Sequence, residues 1–108
     1  MKIKTSELTG AALDWAVAMT ENWAGADFKV KPYSTDWAQG GPIIERERIT
    51  IRVSTAGGNW VGFYDSSGLR VLGRNTGHTP LIAAMRCYVA SKLGHEVDVP
   101  EELCQPTA

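Results

Sequence analysis

At 108 residues, 44 % of them hydrophobic and 21 % charged, the chain has the size and balance of one folded domain over 1–108, which excludes disordered, fibrous and two-domain readings. Eleven basic residues against twelve acidic ones give a net charge of −1. That excludes the broad positive field of a non-specific nucleic-acid or anionic-membrane binder: no stable nucleic-acid binding is expected, although a local basic patch stays open. Cys87 and Cys104 stand in no CxxC or histidine spacing, and no 18 apolar residues follow one another, so a protein of the cytoplasm is expected, with no membrane contact, metal or cofactor.

Leu8, Ala12, Trp15 and Met19 recur at helical spacing and predict a helix over 5–22, capped by Thr5 or Ser6, with Asp14 outside its apolar stripe and Gly25 stopping it. Phe28–Lys31 alternates like a short edge strand that Pro32 ends. Residues 32–42 are rich in turn formers yet hold Tyr33 and Trp37, and read as an irregular loop. Pro42 can open one helical turn over 43–48. Ile49, Ile51 and Val53 mark a strand, Ala56–Asn59 a hairpin turn, Trp60–Tyr64 a second strand, Asp65–Gly68 a turn and Leu69–Leu72 a third strand, together an antiparallel meander.

Gly73–His78 reads as loop. Thr79 then supplies an N-cap and Pro80 the first position of a helix that runs to Leu93 and stops at Gly94. Leu81, Ala84, Met85, Tyr88, Val89 and Leu93 form its stripe, with Arg86 on the far side. Val97–Ala108 reads as an acidic arm, frayed over 104–108. The resulting expectation is an α+β fold, with N-terminal and C-terminal helices packed on one face of a small antiparallel sheet of three or four strands.

Four stretches carry a resemblance: KTSELTGAALDWAVA (4–18), STDWAQGGPIIERE (34–47), TPLIAAMRCYVASKLG (79–94) and EVDVPEEL (96–103). In this order they resemble the NinX-like family of small tailed-phage proteins. The resemblance departs at Arg48, where the family pattern has glycine, and is loose over 49–76. It implies phage origin and an accessory role in an infected bacterial host cell, and assigns no chemistry.

The ligand-site candidate spans the irregular stretch and the arginine-bearing segment through Arg48. Trp37 can stack on a base, Asp36 can accept from a ribose diol or an exocyclic amine, and Tyr33, Ser34 and Thr35 belong to the same candidate stretch. Gly40 and Gly41 allow close backbone approach, amides at a helical N-terminus near Pro42 can meet phosphate oxygens, and Arg46 or Arg48 adds bidentate charge. The competing reading makes Asp36 a turn cap, Trp37 a core plug and the glycines a tight bend. The pair is not a Walker or dinucleotide motif, since no Gly-Lys-Ser/Thr follows. Trp15 reads as core. Glu45 and Glu47 alternate with Arg46 and Arg48 as a solvated, ion-paired segment, and neither His78 nor a serine completes a catalytic frame, so no catalytic residue is assigned.

The expected function is therefore capture, without turnover, of a nucleotide-derived host immune signal, a cyclic ADP-ribose-like or related adenine nucleotide. An inhibitor acting by contact with a host protein is the alternative, and a small nucleotide hydrolase comes third. Four tryptophans and a small core also lead us to expect a homo-oligomer, a dimer or higher.

Overall fold

The computed structural model describes residues 1–22, 30–54, 57–64 and 74–103. In chain order it has β1 (Lys2–Lys4), a 3-10 turn (Thr5–Glu7), α1 (Gly10–Asn22), α2 (Trp37–Glu47), β2 (Ile49–Val53), β3 (Trp60–Tyr64), β4 (Asn75–Gly77), α3 (Pro80–Leu93), β5 (Glu96–Asp98) and a second 3-10 turn (Glu101–Leu103). The fold is α+β with two antiparallel sheets, β1–β5 and β2–β3–β4.

The organising element is α3. The Thr79 hydroxyl accepts from the Ile82 amide at 3.1 Å, Pro80 takes the first turn, and the Gly94 amide closes the helix on the Ala90 carbonyl at 3.0 Å. These are the expected bounds, because cap, proline and glycine act locally. Leu81–Met85 and Cys87–Ala90 are all buried, as expected of a helix covered on both sides. One side lies on β2–β3–β4 so closely that a Cβ on Gly62 would stand 2.9 Å from the Ala83 carbonyl oxygen, and one on Gly77 would stand 2.7 Å from Ile82 Cγ2. Only glycine admits that approach. The other side receives α1 and α2.

α1 packs against α3, and α2 packs against both α3 and β2. The start of α1 moves from the expected position. Residues 5–7 form the 3-10 turn, the α-helix begins at Gly10, and Thr5 is no cap: its hydroxyl donates to the Gly94 carbonyl at 2.6 Å. The buried face is Leu13, Ala16 and Val17 with Ala12 and Ala18, while Trp15 is half-buried at its edge. Asp14, expected outside the apolar stripe, is buried.

The hairpin of β2 and β3 pairs Ile49 with Tyr64 through Val53 with Trp60, and Gly57 and Gly58 turn at positive φ. Its third strand is Asn75–Gly77, from the stretch expected to be loop; the expected Leu69–Leu72 strand and the Gly25 stop lie outside the described residues. Of the expected edge strand Phe28–Lys31 only Val30 and Lys31 are described, and they are exposed and not in a strand.

The acidic arm is tied down as far as Leu103. Val97 pairs with Ile3, the terminal ammonium binds Asp98 at 2.9 Å, and Val97 and Val99 are core residues. Arg86 is likewise no outward-facing residue: its guanidinium donates to the Leu8 carbonyl at 2.7 Å and the Thr76 carbonyl at 2.8 Å, bridging the N-terminal segment to β4.

Candidate functional site

The stretch expected to be an irregular loop is mostly helix. Residues 33–35 turn, and Asp36 then caps α2, its carboxylate accepting from the Ala38 amide at 3.0 Å. Helix α2 runs through Gly40, Gly41 and Pro42 to Glu47. Its far end is closed by Arg48 at φ 58°, ψ 46°, whose amide donates to the Ile44 carbonyl. The arginine thus occupies the left-handed conformation that glycine adopts without strain.

The N-termini of α2 and α3 meet at a cleft of about 310 Å³. Ser34, Thr35 and Trp37 form one wall, and His78, Thr79 and Pro80 form the other with Leu81 and Ile82. Trp37 does not plug the core: it is 53 % exposed and stands where the chain enters α2. Asp36 caps the helix, in line with the competing reading, and its side chain remains exposed beside the indole. The caps satisfy Ala38 and Ile82, which leaves the first-turn amides of Trp37 and Leu81 without protein acceptors among the described residues. Two helix N-termini therefore bring unengaged N–H groups and positive dipole ends to one concavity.

Behind the wall, the Ser34 amide donates to Asp14 Oδ1 at 2.8 Å, anchoring residues 33–35 to α1. Burial pushes the Asp14 carboxyl above its ordinary pKa, and the Ser34 side chain and amide offset part of that push. Ser34 is 2 % exposed, and its buried hydroxyl is near enough to Asp14 to act on it, yet it falls short of hydrogen-bond geometry with any partner among the described residues. Tyr33 is a core residue, not a lining residue, and burial raises its phenol pKa.

Gly40 and Gly41 cradle no phosphate from within a helix. A Cβ on Gly40 would stand 2.5 Å from the Tyr33 carbonyl oxygen and 2.6 Å from Leu81 Cδ1. This glycine lets α2 press against the back of the cleft, and Gly41 has no comparable constraint.

Arg46 and Arg48 are not brought to the cleft. They lie toward the opposite end of α2, where Arg46 grips Glu21 at 2.6 and 3.2 Å, Glu47 at 3.2 Å and the Tyr88 hydroxyl at 3.1 Å. Tyr88 also donates to Glu21, Tyr64 donates to Glu47 at 3.1 Å, and Lys92 stands 3.6 Å from Glu47. Glu45, Arg46 and Arg48 are exposed and Arg46 pairs with Glu47, as expected of a solvated, ion-paired segment, while Glu47 itself is half-buried and networked. Burial works against the Glu21 charge, but hydrogen bonds from Arg46 and Tyr88 and the positive field of Arg46 and Lys31 outweigh it and hold the carboxyl below its ordinary value. Burial pushes the Tyr88 phenol up to about 12 and the Cys87 thiol likewise to about 12, so neither is a ready nucleophile.

The missed residues are His78 and the first turn of α3, expected to serve only as loop and cap. Their signal was in the sequence as the cap itself, but nothing local said that a second helix N-terminus would face it. Among the described residues no group of His, Cys, Asp and Glu side chains is arranged to hold a metal ion, and no helix is long and apolar enough to cross a membrane.

None of the curated proteins compared with the chain matches it. The family model described as "Bacteriophage P22, NinX" matches residues 4–92, a span that contains both walls of the cleft. With most of its length inside that match, the chain belongs to the NinX family of bacteriophage proteins.

Proposed function

We propose that this phage accessory protein captures a nucleotide-derived host immune signal in the cleft between α2 and α3, in the cytoplasm of the infected bacterium, and holds it without turnover. The observation that carries the reading is the exposed Trp37 indole beside two unengaged helix N-terminal amides. An aromatic face for a base and N–H donors for an acidic group are the two contacts a nucleotide needs. Asp36 has one carboxylate oxygen left for a ribose hydroxyl. A volume of about 310 Å³ is at the small end of ligand sites, so it suits a base and ribose, with the rest of an adenine nucleotide at the mouth.

Sequestration by a protein that neutralises one or a few molecules per copy calls for nanomolar affinity, about −12 kcal/mol.

The test is calorimetric titration with adenine nucleotides and cyclic ADP-ribose-type molecules, followed by denaturation and analysis of the released compound. Intact ligand, with binding lost in Trp37→Ala and Asp36→Ala at little cost in stability from the tryptophan change, is the expected result. Half-buried Trp15 gives the contrast: Trp15→Ala should destabilise by about 2 kcal/mol, less than a fully buried aromatic, and still bind. Cleaved product would move the protein to the hydrolases. No binding across the panel would overturn the reading in favour of a protein-directed inhibitor that uses the exposed indole. The reading includes a homo-oligomer, most simply a twofold dimer, which a monomer in sedimentation at micromolar concentration would remove.

A further inference from the structure

The face of β2–β3–β4 turned away from α3 carries a second constellation. Side chains directly opposite in the register share a face, so Thr50 and Arg52 of β2, Val61 and Phe63 of β3 and Thr76 of β4 stand together. Gly62 and Gly77 turn the other way, toward α3. Two guanidinium groups rest on one ring: Arg52 Cζ is 5.3 Å and Arg74 Cζ 5.8 Å from the Phe63 centroid. Arg46 and Arg86 have their donors engaged by carboxylates or carbonyls, whereas Arg52 and Arg74 make no ion pair or hydrogen bond among the described residues.

Arg74 also joins two recesses. One, of about 110 Å³, has Val61 with Arg52 and Ser54 around it. The other, of about 290 Å³, adds Lys4 and His95, with Glu96 its one acidic lining residue. The smaller recess has no carboxylate in its lining, whereas at the larger one Lys4 stands opposite Glu96 in the β1–β5 pair.

We propose that this face binds the phosphodiester backbone of a single-stranded nucleic acid, with Arg52 and Arg74 as the paired phosphate contacts and Lys4 extending the track. A guanidinium presents five N–H donors in a planar fork that matches a phosphate, and stacking on Phe63 holds both forks before the ligand arrives. Arg52 comes from the strand on one side of β3 and Arg74 from just before the strand on the other, so two separate sets of donors flank the Phe63 ring, an arrangement that suits an extended phosphodiester. Exposed guanidinium planes also offer stacking surfaces to unpaired bases, which a duplex keeps stacked inside. The net charge of −1 still argues against broad non-specific binding, so the contact is a local one, with few phosphates neutralised and a shallow salt dependence. This inference does not rest on the cleft between α2 and α3.

The test is fluorescence anisotropy with a labelled single strand of about twelve deoxythymidines over roughly 25 to 200 mM salt, enough to read the log–log salt slope. For two to three neutralised phosphates the slope should be about −1.4 to −2.1. Arg52→Ala and Arg74→Ala should each weaken binding about tenfold and make the slope shallower. If either alanine variant fails to fold, the Arg52→Lys, Arg74→Lys double variant decides. It keeps the charge and the slope but should lose several-fold in affinity with the fork, and undiminished affinity would overturn the bidentate assignment. The proposal is also overturned by absence of binding at the lowest salt, by alanine variants that bind normally, or by a duplex of equal length binding as tightly. Displacement of the strand by polyglutamate of equal charge, or by millimolar inorganic phosphate, overturns it too.

Discussion

Adjacent glycines of α2 respond in opposite directions to the same substitution if close packing, and not ligand approach, is what Gly40 provides. Adding a Cβ at Gly40 places it 2.5 Å from the Tyr33 backbone oxygen, which cannot swing away, and 2.6 Å from Leu81 Cδ1, which can. Overpacking of this kind costs about 1–3 kcal/mol, and the backbone contact puts this case toward the upper end. Alanine returns roughly 0.8–1 kcal/mol of helix propensity, so Gly40→Ala should lose about 1–2 kcal/mol net. At Gly41 the nearest atom is Trp37 Cε3 at 3.9 Å, an ordinary contact. There Gly41→Ala should keep the propensity gain and stabilise by about 0.8–1 kcal/mol. Thermal and denaturant melts should separate the two variants by about 2–3 kcal/mol, roughly 10–20 °C in a domain of this size. A Gly40→Ala protein as stable as the parent, or a Gly41→Ala protein as damaged as Gly40→Ala, would refute the packing argument.

Arg48→Gly should stabilise by about 1 kcal/mol, because the left-handed backbone at the end of α2 suits glycine; a loss in denaturant midpoint would show that the arginine side chain contributes more than its backbone costs. Asp14→Asn keeps an oxygen for the Ser34 amide and removes a buried charge, so at pH 7 it should match or exceed parental stability, whereas Asp14→Ala should lose about 1–3 kcal/mol. Since burial raises the folded pKa of Asp14 above its unfolded value, any gain in the asparagine variant should vanish in acid, where the parental carboxyl is already protonated; melts from pH 3 to 7, about a unit below and three units above the ordinary aspartate value, check this. Glu21 has the opposite sign: its folded pKa lies below the ordinary 4.5, so its contribution is present above that pH and lost as pH falls through the folded value. Glu21→Gln should therefore melt lower than the parent near neutrality and converge with it in acid, and an equal gap at both ends would contradict the assignment.

Signals confined to a few neighbouring residues were legible in the sequence. Thr79, Pro80 and Gly94 mark both ends of α3 because a cap, a locked φ and a positive φ each act within one turn. The β2–β3 hairpin follows from alternation around Gly57 and Gly58 for the same reason. Residues 37–47 went the other way. Two glycines and a proline cost a helix roughly 1, 1 and 3 kcal/mol in propensity, so taken alone the segment reads as loop. What makes it a helix is the Asp36 cap, burial of Ile43 and a seat for Gly40 against Tyr33 and Leu81, the last supplied by distant chain.

The candidate site divides on the same line. Trp37 and Asp36 were visible as unusual residues, but their partners at His78–Ile82 arrive only when two helix N-termini meet, and Arg46 leaves the site because Glu21 and Tyr88 are there to hold it. Pairing of β1 with β5, the bridge made by Arg86 and burial of Asp14 likewise join segments far apart in sequence. Local chemistry sets where backbone elements begin and end, whereas the free energy that selects among partners comes from surfaces that exist only after the chain has folded.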